Sequence, residues 1–183
     1  MTNALTGAAL RVLPLLLGVF AAACTIDPPA GTPPAPVSGA LEPGPREATF
    51  GRTSAEVINN PQLRDKIRAL FGADWDPAAA GGGKIVKGVG AYFGRTEPPR
   101  GVRIGNANYV AVTGCVPATC GSERVVLLIQ ESGQDLLARL DEGGFSHYYA
   151  HGAAWGVAGS TTAAVDSALR ALEQRGRDPY PRG

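Results

Sequence analysis

Side chains able to do chemistry are few in this chain, and their spacing decides against most of it. The only two histidines, His147 and His151, lie four residues apart. On a strand that spacing sets them on one face but roughly 13 Å apart, at about 3.3 Å per residue. On a helix they could share a metal, yet no third ligand accompanies them, so no metal site is expected. Glu131, Asp135, Asp141 and Glu142 could supply paired carboxylates, but their places at hairpin ends fit a solvated rim better. Gly81-Gly82-Gly83-Lys84 fails as a phosphate-binding loop, because Ala78 stands where its first glycine is required and Ile85 where Ser or Thr must follow. Gly88-Val89-Gly90 lacks a third glycine, Phe93 being in that place, and no serine sits in a G-x-S-x-G turn. Neither catalysis nor a cofactor is expected.

The cysteines carry more. Cys24 ends a segment with one cation, Arg11, and no acid, followed by the uncharged apolar run Val12–Ala22 and the small residues Ala21-Ala22-Ala23. A membrane span needs about 20 apolar residues, so this run is a signal-peptide core. AAAC resembles the lipobox that bacterial lipoprotein signal peptidase cleaves after diacylation of the thiol, with Ala21 where leucine is preferred. Residues 1–23 are thus the expected signal peptide, and Cys24 the lipid-bearing first residue. Seven of the fifteen prolines fall between Thr25 and Pro45, among almost no large apolar side chains. Such a stretch buries too little surface to fold and stays extended, so residues 24–49 are expected to be a tether. Twenty residues at about 3.1 Å each reach roughly 60 Å from a membrane. Thr25, rather than Asp, after the cysteine resembles an outer-membrane address in enteric-type sorting. The expected location is the cell envelope, lipid-anchored and facing the periplasm, at the outer membrane before the inner.

About 130 residues remain from Phe50 onwards, enough for one domain with a real core. A formal charge of +1 provides no field for nucleic acid. Once Cys24 is lipidated, Cys115 and Cys120 are the only thiols left, and export places them in an oxidising space, so they should pair. A bridge over so short a loop contributes about 2 kcal/mol on the chain-entropy model, and its use is to fix one loop's shape.

The elements that must hold this loop follow from periodicity. Asn60 and Pro61 predict a helix N-cap and first turn, with Leu63, Ile67 and Leu70 on one face, Gly72 as the stop and Trp75 plugging the core. Residues 76–83 are expected to be loop and Lys84–Phe93 a first strand. Val102–Ile104 and Tyr109–Val112 flank a turn at Gly105-Asn106. Arg124–Gln130, Leu136–Leu140 and Phe145–Ala150 continue the strands. Ser160 should cap a last helix carrying Val165, Leu169 and Leu172, stopped by Gly176, with residues 177–183 frayed. Strands between terminal helices read as α+β, a central antiparallel sheet with helices packed on it.

The most distinctive stretch is Tyr109-Val110 leading to Cys115-Val116-Pro117-Ala118-Thr119-Cys120-Gly121-Ser122-Glu123-Arg124 and the strand VVLLIQ. It resembles the inhibitor of vertebrate lysozyme family, whose loop reads Cys-Lys-Pro-His-Asp-Cys-Gly-Ser-x-Arg. Cys115, Pro117, Cys120, Gly121, Ser122 and Arg124 match it, and the likeness extends over residues 50–176. It implies a loop, Val116 to Thr119, that binds a lysozyme or another peptidoglycan-cleaving enzyme, and a homodimer. Val116, Ala118 and Thr119 replace the family's Lys, His and Asp. A cation or imidazole could pair with the carboxylates of a lysozyme cleft, but Val and Ala offer only shape and backbone. Direct lysozyme inhibition by this loop is therefore not expected. The alternative is a structural envelope lipoprotein with no inhibitory activity.

Overall fold

A computed structural model describes residues 38–40, 45–80, 83–85, 87–94, 98–152 and 158–174. The expected signal peptide, Cys24, Gly176 and the tail 177–183 lie outside the described residues. Five hairpin-linked or neighbouring strands run in chain order after the first helices: β2 (Arg100–Ile104), β3 (Ala107–Cys115), β4 (Arg124–Gln130), β5 (Leu136–Glu142) and β6 (Phe145–His151). Together with β1 (Ser38–Ala40) they make one six-stranded antiparallel sheet in the order β1-β2-β3-β4-β5-β6. Helices α1 (Ser54–Ile58), α2 (Arg64–Phe71), α3 (Pro77–Ala80) and α4 (Ala158–Gln174) complete the fold, which is α+β.

Both faces of the central strands are covered, which explains their unbroken apolar runs. On one face Val110, Val112, Val125, Leu127, Ile129, Leu136, Ala138 and Leu140 meet α1, α2 and the turns around them, through Val57, Leu63, Ile67 and Phe71. On the other, Val126, Leu128 and Leu137 meet Ala164, Val165, Ala168, Leu169 and Leu172 of α4. Residues 125 to 129 alternate between the two faces, and all five are buried. The chemistry of the turns agrees with the register. Gly143 and Gly144, at φ 60° and 83°, form the two-residue left-handed turn that joins β5 to β6.

Helix signals hold in outline. Asn60 accepts from the Gln62 N–H at 2.8 Å, the chain turns through residues 61–63, and α2 runs to Phe71 before Gly72. Trp75 is half-buried against the first core. Helix α1 was not predicted; Thr53 caps it by accepting from the Glu56 N–H at 3.2 Å.

Several expectations need correction. Lys84–Phe93 is not a strand: Val89–Phe93 is a 3-10 helix. Its buried residues Val89, Tyr92 and Phe93 recur at i, i+3 and i+4, a helical period rather than an alternating one. A Cβ on Gly114 of β3 would stand 2.2 Å from the Tyr92 carbonyl oxygen, so the 3-10 backbone rests directly on the strand at a glycine. Residues 77–80, expected as loop, form the single turn α3. Helix α4 begins at Ala158, two residues before Ser160. The stretch 24–49 is not tether throughout: Ser38–Ala40 pairs with β2, and Pro45–Ala48 is a 3-10 turn whose Glu47 carboxylate accepts the Gly101 N–H at 2.8 Å. The unpaired outer edge of β2 offers the hydrogen bonds that the segment lacks by itself.

Candidate functional site

Strands β3 and β4 are joined by the bridged loop. Cys115 and Cys120 are disulfide-bonded with Cα atoms 5.0 Å apart. Strand pairing runs up to Cys115↔Arg124, and the Val116 N–H donates to the Glu123 carbonyl at 3.1 Å, so the ladder ends where the bridge begins. Two further turns tighten the ring. The Thr119 N–H donates to the Val116 carbonyl at 3.1 Å, and the Ser122 and Glu123 N–H groups reach the Thr119 carbonyl at 2.9 and 2.8 Å. Ala118 has φ 71°, the left-handed region.

The four residues expected to bind a partner divide into two pairs. Val116 is half-buried against the first core. Thr119 turns back and donates its hydroxyl to Glu123 at 2.8 Å. Pro117 and Ala118 are exposed. Of these four, Pro117 and Ala118 present their side chains outward, and Val116 and Thr119 are supports of the loop. The sequence-based expectation gave all four to the binding loop, because inward and outward positions of a short irregular loop cannot be told apart from sequence.

Lys87 braces the loop from outside. Its ammonium donates to Glu123 at 2.8 Å. Hydrogen bonds from Lys87 and then Thr119 hold the Glu123 carboxyl below its ordinary value. The Lys87 N–H also approaches Glu142 at 3.4 Å, and the Tyr92 hydroxyl donates to the same carboxylate at 3.0 Å. Burial first, and then this bond to Glu142, push the Tyr92 phenol well up. Neither Lys87 nor Tyr92 was singled out from sequence; their distance from the loop in the chain left no signal.

Behind the bridge, on the face covered by α4, lies a network centred on Asp141. It accepts from Arg139 Nε at 2.8 Å, Arg124 Nε at 2.9 Å and Ser146 Oγ at 2.6 Å. Arg139 continues to Asp166 of α4 at 2.9 Å, which also accepts from the Tyr148 hydroxyl at 2.9 Å. Burial pushes the Asp141 carboxyl up, and the bonds from Arg139, Ser146 and Arg124 outweigh it and hold the group low. Asp141 is therefore no solvated rim residue: it is buried and fully engaged. Glu131 fits the rim expectation, exposed and within 3.5 Å of Arg46. It stands at the opposite end of the sheet from Asp141 and Glu142, whose side chains in turn point to opposite faces, so these acids form no pair.

His147 and His151 lie on one face of β6, as their spacing on a strand requires. Among the described residues no group of three His, Cys, Asp or Glu side chains is arranged to hold a metal ion. Asp74, buried in the 3-10 turn that follows α2, accepts the Tyr149 hydroxyl at 2.9 Å and the Lys84 N–H. No protein-family model, curated protein or solved structure matches the chain.

Proposed function

We propose that this chain is a lipoprotein of the bacterial cell envelope, anchored through a diacylated Cys24 and facing the periplasm, whose domain binds another protein through the Cys115–Cys120 loop. On this reading the chain is a divergent relative of the inhibitors of vertebrate lysozyme, and its partner a lysozyme or other peptidoglycan-cleaving enzyme. The single observation that supports it is the exposed Pro117-Ala118 tip on a ring fixed by a disulfide, two turns and the Lys87–Glu123 brace. Such a tip has little ordering entropy left to lose on association. The reading includes no catalytic, metal, cofactor or nucleic-acid role.

The tip carries no imidazole or cation, so tight inhibition of a c-type lysozyme is not part of the proposal. One missing charge-assisted hydrogen bond, about 1.5–3 kcal/mol, weakens binding roughly 10- to 150-fold. The geometry singles out one substitution to restore it. Val116→Lys would strip a core contact, and Thr119→Asp would set a carboxylate against Glu123. Ala118→His adds an exposed imidazole at a left-handed residue, which histidine tolerates better than most. The test is lysis of a peptidoglycan suspension by c-type lysozyme, with the detergent-solubilised full chain added. Weak or no inhibition by the native chain, and a gain with Ala118→His, support the reading. Strong native inhibition that survives replacement of Pro117 and Ala118 would assign binding to another surface.

The inward use of Val116 and Thr119 favours a second reading, a structural lipoprotein in which the bridge only closes the β3–β4 connection. On that reading no substitution at the tip changes the capture of any envelope protein, with or without reductant.

A further inference from the structure

Among the described residues nothing covers the outer edge of the last strand of the sheet. Sheet edges are ordinarily blunted by shortness, proline, charge or a bulge. The edge at β1 is three residues long. Strand β6, by contrast, pairs with β5 at all seven of its positions without a break, and its sequence Phe145-Ser-His-Tyr-Tyr-Ala-His151 holds no Lys, Arg, Asp, Glu, Pro or Gly. Among the described residues no strand pairs with its outer side. The two-residue turn makes Glu142↔Phe145 a hydrogen-bonded pair, so residues 145, 147, 149 and 151 bond to β5 and residues 146, 148 and 150 direct their N–H and C=O outward. No backbone hydrogen bond to those outward groups is made by any described residue.

We propose that β6 pairs antiparallel with β6 of a second copy of this chain, with Tyr148 on the two-fold axis. The strand is complementary to itself about that residue. Reversed on its own copy, Phe145 faces His151 and His147 faces Tyr149 on one side of the sheet. On the other side Ser146 faces Ala150, and Tyr148 faces its equivalent. Ring thus meets ring and small side chain meets small side chain, within the reach of cross-strand pairs. No carboxylate or ammonium is brought against its like. Phe145, 72 % exposed and alone among the described large hydrophobic residues in being so exposed, gains a neighbour. Moving the axis to His147 would set Ala150 and His151 against the glycine turn of the copy. Moving it to Tyr149 would carry Phe145 and Ser146 past the end of the strand. The Tyr148 axis alone pairs the full strand. An extended segment of another protein would satisfy the same backbone groups, but nothing requires it to match this alternation of rings and small side chains.

This surface is independent of the β3–β4 loop, so its test needs no lysozyme. The full chain in detergent is followed by sedimentation across protein concentration, as native protein and as Ala150→Lys, which puts a long cation at an exposed position. The native chain should sediment as a concentration-dependent dimer and the variant as a monomer, with unchanged circular dichroism. Register is read by oxidative cross-linking. Chains carrying Ser146→Cys alone or Ala150→Cys alone should not join, whereas an equimolar mixture should give a covalent dimer. A native chain that stays monomeric overturns the proposal. So does a dimer that survives Ala150→Lys, or one in which the mixed cysteines fail to join.

Discussion

Asp141→Asn removes one charge from the centre of the network behind the bridge while keeping the side chain's size. Asp141 accepts from two guanidinium groups at 2.8 and 2.9 Å and from one hydroxyl at 2.6 Å. Each charge-assisted bond contributes about 1.5–3 kcal/mol when its partner is left stranded. The Arg124 and Arg139 side chains are 30 % and 21 % exposed, and Arg139 keeps Asp166, so both can recover part of the loss from water or a second acceptor. Halving the gross loss of two such bonds leaves about 2 kcal/mol as the expected destabilisation at neutral pH. The sign of the pH dependence is fixed by the lowered pKa. A carboxyl held below its unfolded value, about 3.9, adds stability above that pH and loses it as the pH falls through the folded value. The difference between native and Asp141→Asn proteins should therefore be full near neutrality and fade below about pH 4. Urea unfolding monitored by tryptophan fluorescence at neutral and acidic pH measures both. A loss under about 0.5 kcal/mol, or a difference of equal size at both pH values, would show that the guanidinium groups are solvated and Asp141 is not their anchor.

Gly114→Ala forces a Cβ to within 2.2 Å of the Tyr92 carbonyl oxygen and should cost about 1–3 kcal/mol or more in urea unfolding, because backbone rather than a side chain must move. Thiol labelling of denatured protein before and after reduction should differ by two adducts, for Cys115 and Cys120, and the reduced protein should stay folded because the bridge closes so small a ring. Cys24→Ser should release or mislocalise the protein, and globomycin should block its maturation; native protein recovered in the aqueous phase of a detergent partition, starting at another residue, would refute the lipid anchor.

How much of this was legible depends on how local the cause is. Strands β3 to β5 could be read because VVLLIQ and its neighbours are apolar on both faces, the mark of a sheet covered twice. The bridge followed from counting thiols. Residues 84–93 were misread because glycines at 88 and 90 and a β-branched start mimic a loose strand, whereas the helical period emerges only when Val89, Tyr92 and Phe93 are taken together. Helix α1 did leave a signal, Thr53 followed by Glu56, in the S/T-x-x-E form of a capping box. Strand β1 left none, since three residues in a proline-rich stretch become a strand only by docking on β2. The burial of Asp141 was equally invisible, because two of its partners lie on other strands, at Arg124 and Ser146, and the brace beyond runs to α4.

The same dependence on distant partners bears on what the loop can offer. Val116 serves the core, Thr119 serves Glu123, and Glu123 is taken by Lys87, so three of the polar or bulky groups near the bridge are committed inward. The outward remainder is a proline ring, a methyl group, the uncharged Ser122 hydroxyl and exposed peptide groups. On the proposed reading, selectivity for a partner then rests on the shape of that tip and on its carbonyls rather than on charge. Affinity should accordingly change little with salt, since screening acts on exposed charges that the tip does not possess. The Ala118→His variant would gain a charged interaction on the same backbone, with Lys87, Glu123, Thr119 and the bridge unchanged beneath it. The scaffold and the chemistry of the tip are thus separable, and replacing one alanine is enough to ask whether the scaffold alone was kept.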